Sequence, residues 1–400
     1  MFAGWVIGVL GRSMIVPFLA IFFHNTLKIP MARVAAIYLL MGASTTVGRL
    51  VSGFVIDHFG CRRVLYVPPL LRTVVFLALA WCVHVGAPVP AMVALLCTTE
   101  FMAAFFASAC DTYVADVTPV KERPHVYAFL RVGLNLGWMI GPAIGAFLAR
   151  TPFSLLFALT ACCMLTLSPL TFFFCPETRH DAIREGHKHG GALGIFAFGA
   201  VWRNRAFRAH CLFSLCHFML TAQLVSTLAV FAINVIKITR VQLGWTYTLN
   251  GLIVILFQLP VTRAVANISL SRRLACAALL YALGYFSIAF ASNWTFLLLC
   301  ILVISFSEMI AEPAVVSMVS HLAPKRLLGR FMGVYGFARS IGMSVGRYYG
   351  GCLYDGFAHM PTVVWGGLAA FGLIAAAGFG SLGESRKSEV GSRKLESRCV

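Results

Sequence analysis

EFMAAFFASACDTYVADVTPVKERPHVYAFLR, residues 100 to 131, recurs in outline later in the same chain. In the first copy Glu100 stands thirty-one positions before Arg131, the last residue of VYAFLR (126–131). In the second, Glu308 stands thirty-one positions before Arg339, the last residue of VYGFAR (334–339). Both pairs are related by an offset of 208. Upstream the offset is 209: Asn25 answers Asn234, Lys28-Ile29 answers Lys237-Ile238, and Gly42 answers Gly251. A one-residue slip between the registers is an ordinary loop indel. The order of these matches predicts two copies of one unit of roughly two hundred residues.

Composition sets the environment. Of 400 residues, 60% are hydrophobic and 12% charged, about half the charge of a soluble domain. Mean hydropathy is +0.85. The 33 Phe and 35 Gly suit close-packed membrane helices. A net charge of +18 is better explained by basic loops on one side of a bilayer than by nucleic acid, which is not an expected partner. The thirteen cysteines show no metal-ligand spacing and sit mostly in apolar runs, as buried thiols do. The opening run MFAGWVIGVLGRSMIVPFLAIFF is too long for a signal-peptide core and reads as a first span.

Twelve apolar runs are long enough to cross a hydrocarbon core of about 30 Å as helices. They lie near 2–27, 34–56, 64–84, 90–114, 125–149, 153–175, 208–234, 243–266, 273–291, 294–319, 329–354 and 361–381. The predicted fold is thus an all-α membrane protein of twelve transmembrane helices in two pseudo-symmetric halves, 1–175 and 208–381. Residues 176–207 read as a cytoplasmic linker and 382–400 as a disordered cytoplasmic tail. With both termini inside, the cytoplasmic side holds 21 of the 32 basic residues, the opposite loops five and the spans six. That bias predicts a multi-pass cell-membrane protein with cytoplasmic termini. His180, His187 and His189 fall in the linker, but no carboxylate or Cys completes a set, so no metal site is expected.

Ionisable groups inside a bilayer are costly and need a reason. Glu100 and Asp111 lie in the fourth span, Glu308 and Glu312 in the tenth. In antiparallel neighbours rising about 1.5 Å per residue, Arg131 falls at the depth of Asp111 and Arg339 at that of Glu312, while a long side chain reaches toward the mid-span Glu. Two readings stand. The pairs are structural ties between helices, with Arg131 and Arg339 as charge partners, or the four carboxylates are proton-coupling groups.

Between the second and third spans lies GRLVSGFVIDHFGCRR (48–63). Gly60 turns the chain after Asp57, and Gly53 is read as admitting a neighbouring backbone. This segment is similar to the signature loop of the major facilitator superfamily, G-x-x-x-D-R-x-G-R-R. Gly53, Asp57, Gly60 and Arg62 match, while His58 and Cys61 replace arginines. The resemblance implies a cytoplasmic latch whose Asp and Arg engage neighbouring helix ends. In the fifth span Gly133, Gly137, Gly141 and Gly145 recur every four residues with Pro142 beside them, a helix-packing stripe. It also resembles the glycine-proline motif of the superfamily's drug:proton antiporters, of the bacterial multidrug-transporter type. The second copy, VGRYYGG (345–351), lacks the proline, and PET (176–178) again resembles the family.

The family likeness implies that spans one, four, seven and ten line a central cavity. Arg12, Glu100, Gln223 and Glu308 then face substrate, and Phe18, Phe22, Phe105, Phe218 and Met219 supply apolar wall. It implies a secondary transporter, coupled to protons, for a small molecule, with lipid around it and no cofactor. No Gly-Lys-Ser/Thr phosphate loop suggests ATP drive, and no enzyme chemistry is expected. Export of amphipathic compounds, uptake of a small anionic metabolite, and a non-transporting sensor or lipid-moving role remain as readings. A monomer in the inner membrane is the expected form.

Overall fold

The computed structural model describes residues 2–119, 123–148, 152–177, 204–324 and 328–396, with main chain alone at 57, 115, 123–125, 127–129, 131, 328–330 and 383–396. These residues form helices and no strand. The helices are α1 Phe2–Ile21, α2 Met31–Phe59, α3 Cys61–His84, α4 Val89–Val117, α5 Arg123–Phe147, α6 Phe153–Phe174 and α7 Arg205–Thr221. They continue with α8 Thr227–Asn234, α9 Arg240–Ala264, α10 Leu270–Ser287, α11 Trp294–Leu322, α12 Leu328–Phe357 and α13 Pro361–Glu396. Among the described residues nine helices are long and apolar enough to span a bilayer, and α7 with α8 makes a tenth bent by 40°. The twelve are completed by α5, whose apolar stretch is Val132–Phe147, and by α12, which carries Arg339 and Arg347.

Local chemistry sets the ends. Pro30, Pro88 and Pro152 stand at the N-caps of α2, α4 and α6, where a missing N–H costs nothing. Asn204 and Asn293 cap α7 and α11 by accepting from the amides of Phe207 and Phe296. A single residue, Gly60 at φ 88, separates α2 from α3; a side chain there would be strained and would meet the Glu177 carboxylate at 2.7 Å. Within α3, Pro69 removes the donor owed to the Leu65 carbonyl, and the Thr171 hydroxyl of α6 supplies one at 3.3 Å.

The chain divides into two compact units, Met1–Gly191 with Leu228–Ile255, and Ala192–Thr227 with Leu256–Val400. In the first, α1 packs on α5 and α6, and α3 on α4 and α6. In the second, α7 packs on α12 and α13, and α10 on α11 and α13. The same pairings thus recur, as two related halves require. The glycine stripe explains the α1–α5 seam. Side chains at Gly133, Gly137, Gly141 and Gly145 would run into Phe2, Val9, Ser13 and the Met14 carbonyl of α1. The Ser13 hydroxyl donates to the Gly137 carbonyl at 2.7 Å across that contact.

One expectation changes. Gly53 admits no neighbouring backbone, because it lies on an exposed face of α2 with nothing within 4 Å of a Cβ placed there. The second copy, which lacks the proline, has a small-residue stripe of its own: Gly342, Gly346 and Gly350 seat α12 on Leu215, Met219 and Gln223 of the α7 segment. The main chain of α13 runs on to Glu396, within the stretch read as a tail. The 176–207 linker falls mostly outside the described residues.

Candidate functional site

Among the described residues each unit shows one ion pair between its helices, and the two pairs are built differently. In the first, Arg12 of α1 donates to Glu100 of α4 at 3.0 Å, and the Thr45 hydroxyl of α2 donates to the same oxygen at 3.2 Å. The Glu100 side chain is 7% exposed and that of Arg12 49%. Arg72 of α3 is buried, with Glu100 and Arg12 both within electrostatic range, and its guanidinium lies 5.5 Å from the Phe76 ring. Four helices therefore converge on one carboxylate. Asp111 sits apart, on an exposed face of α4 with Arg49 in range.

In the second unit Arg339 of α12 donates to Glu312 of α11 at 3.1 Å. Its guanidinium lies 4.8 Å from the Phe218 ring and touches Tyr335. Glu308, the repeat counterpart of Glu100, lies one turn before Glu312, within range of Tyr281. Arg339 and Glu312 thus meet at the depth set by antiparallel neighbours. The side chains of Arg131 and Asp57 lie outside the described residues. Among the described side chains, the first cluster carries two guanidinium groups and one carboxylate, and the second one guanidinium and two carboxylates.

Several cavity candidates are packing residues here. Gln223 is fully buried. Its amide nitrogen donates to the carbonyls of Met219 and Gly346, and its oxygen accepts from Thr227 at 2.7 Å. It pins the break between α7 and α8, where backbone groups have lost their helical partners. Phe218 and Met219 lie in the interhelical core beside α12. Phe18 is set against Gly145, Phe22 meets Phe153 at a tilt with ring centroids 4.9 Å apart, and Phe105 lies 5.0 Å from Phe101. These side chains are buried against neighbouring helices, as Phe at helical spacing is on the packed face of any helix.

Arg62 reaches the end of α6, donating to the Phe172 carbonyl at 2.8 Å with its guanidinium 4.6 Å from that ring. Unsatisfied carbonyls at a helix C-terminus attract such a cation. Pro142 turns its carbonyl toward Gly244 of α9, where a side chain would meet it at 2.8 Å.

The residues of the Glu100 cluster that sequence reasoning missed are Thr45 and Arg72. Arg72 carried a signal, an arginine inside an apolar run. Thr45 gave none until its contact with Glu100 was known.

The family model of the Major Facilitator Superfamily matches residues 1–347 and again 224–397. The chain belongs to that superfamily and is a multi-pass membrane transporter of its type. It is 25% identical over 358 residues to an uncharacterized MFS-type transporter, YhjO, of Bacillus subtilis (strain 168), covering 89% of this chain and 86% of that one. It is 24% identical over 330 residues to multidrug resistance protein MdtH of Yersinia pestis (strain Pestoides F), covering 82% and 79%. Among solved structures, a peptide transporter POT in complex with sulfate aligns with a TM-score of 0.78 at 15% identity, covering 96% and 93%. The nucleoside transporter NupG aligns at 0.77 and 13% identity, covering 95% and 97%. These two likenesses concern the fold.

Proposed function

We propose that the protein exports small amphipathic compounds in exchange for protons, its halves alternating access to a mid-membrane site. One observation carries this reading: each unit holds a membrane-embedded carboxylate, Glu100 or Glu312, bound to an arginine from another helix. Such a group binds a proton when hydration and pairing favour its neutral form and releases it when the arginine returns. The glycine stripe with Pro142 and the likeness to a multidrug resistance protein support the export direction. Both termini face the cytoplasm and the protein works as a monomer in the cell membrane, on this reading.

A second reading is favoured by Arg12, whose side chain is half exposed although it is ion-paired. A guanidinium so placed suits an anionic substrate group, and the direction would then be uptake. The purified protein in liposomes, with ethidium as probe and a pH-sensitive dye inside, separates the readings. Antiport moves protons against ethidium, and anion uptake leaves ethidium still while an organic anion follows its gradient. A sensor moves neither. Absence of ethidium-linked proton movement counts against the export reading.

A further inference from the structure

One face of α7 is polar where the helix is most deeply buried. His210, Ser214 and His217 stand at i, i+4 and i+7, and none exceeds 1% exposure. The Ser214 hydroxyl and His217 Nε2 make no hydrogen bond. His210 leaves both ring nitrogens without a well-formed one, the Val315 backbone being in reach. A buried polar atom without a partner costs about 1–3 kcal/mol, and native proteins retain such atoms for a reason. Three neighbouring residues in this state, within a membrane helix, are not explained by packing.

What surrounds the face is titratable. His210 stacks on Tyr335 of α12 at 6.1 Å, with Phe379 of α13 at 5.8 Å. His217 stands edge-on to Tyr281 of α10 at 5.0 Å. Glu312 of α11 and Arg339 of α12 lie within electrostatic range of His217, and Glu308 of α11 within range of Tyr281. His210, Ser214 and His217 step along α7 by roughly 6 Å and then 4.5 Å. His210 is five residues from the start of the helix at Arg205.

We propose that His210, Ser214 and His217 form a proton strip along α7, with His217 the donor to the Glu312–Arg339 pair. The proposal rests on the proton-coupled reading above. The imidazolium of His217 passes its proton to a Glu312 oxygen, leaving a neutral imidazole and a neutral carboxylic acid. Arg339 then loses its anionic partner and is held by Tyr335 and the Phe218 ring. The reverse transfer restores the ion pair. Chemistry fits the role, because an imidazole can both donate and accept a proton through its two ring nitrogens.

The test uses the full chain in phospholipid nanodiscs with 15N-labelled imidazoles, followed by NMR from about pH 3 to about 9. The His217 signal is identified by its loss in His217→Gln, or in His217→Asn where Gln is not tolerated. Its midpoint is expected to move by at least about one pH unit in Glu312→Gln, since imidazole and carboxylate share one proton on this proposal. A His217 that stays neutral throughout, or titrates identically with and without Glu312, overturns the strip. In liposomes, His217→Gln is expected to cut ethidium-linked proton flux about tenfold or more while ethidium exchange without a gradient continues. Full proton flux in that variant overturns it too. If the unaltered protein moves no ethidium, the export reading fails alone, and the titration still decides the strip.

Discussion

Asn25 and Asn234 hold each other's side chains in a reciprocal amide pair, at 2.8 Å in one direction and 3.0 Å in the other. They are equivalent positions of the two repeats, 209 residues apart. Their surroundings repeat as well. Lys28 and Lys237, at the same offset, both take positive φ, 58 and 64. In each copy a helix ends, an amide turns back to a Phe carbonyl, Leu27 to Phe22 and Ile236 to Phe231, and a left-handed residue follows. The pair lines a cavity with His24, Lys28, Ile29 and Pro30.

If the halves rock apart as proposed, this pair must break. Two amide hydrogen bonds at a partly exposed site contribute on the order of 1 kcal/mol together. Asn25→Ala is therefore expected to raise the maleimide labelling rate of a cysteine placed at His24 by about fivefold. An unchanged rate would show that the pair does not restrain opening.

Arg72 is buried beside Glu100, whereas Arg12 is half exposed. Glu100→Gln leaves Arg72 without that counter-charge, and Arg12→Gln leaves Glu100 with Thr45 and Arg72 still near. Thermal unfolding in detergent should place Glu100→Gln below Arg12→Gln, by about 1–3 kcal/mol. Adding Arg72→Met to Glu100→Gln should recover much of the loss. Additive destabilisation in the double variant would argue against the cluster acting as a unit.

The second carboxylate pair divides by role. Glu312 holds Arg339, so Glu312→Gln is expected to lower thermal stability as well as proton coupling. Glu308→Gln should abolish pH-driven movement and keep gradient-free exchange, with a melting temperature within a few degrees of the unaltered protein. Full pH dependence in Glu308→Gln would leave the coupling with Glu312 and Arg339 alone.

Glycines in the same chain should respond oppositely. Gly141→Ala puts a methyl group onto Ser13 in the α1–α5 seam, and overpacking there costs about 1–3 kcal/mol. Gly53→Ala meets nothing within 4 Å and should be neutral or slightly stabilising, since alanine favours helix by roughly 1 kcal/mol. Comparable losses in the two variants, measured by thermal unfolding, would contradict the assigned packing.

The sequence alone determined the twelve apolar runs, the internal repeat, the glycine stripe of α5 and the turn at Gly60. Each is written in local terms, because run length answers bilayer thickness, a four-residue glycine period answers close helix approach, and φ 88 answers glycine. Tertiary structure decided which charge meets which. Glu100 and Glu308 are matched by sequence, yet Glu100 takes Arg12, 88 residues away, and Arg339 takes Glu312 rather than Glu308. Those choices depend on which helices adjoin and how each is rotated, and spacing along one chain does not encode either. The same holds for Gln223, Phe218 and His217. A polar or aromatic residue in an apolar run has the same sequence signature whether it lines a cavity, pins a helix break or lies buried between neighbours, and only packing against other helices separates the three.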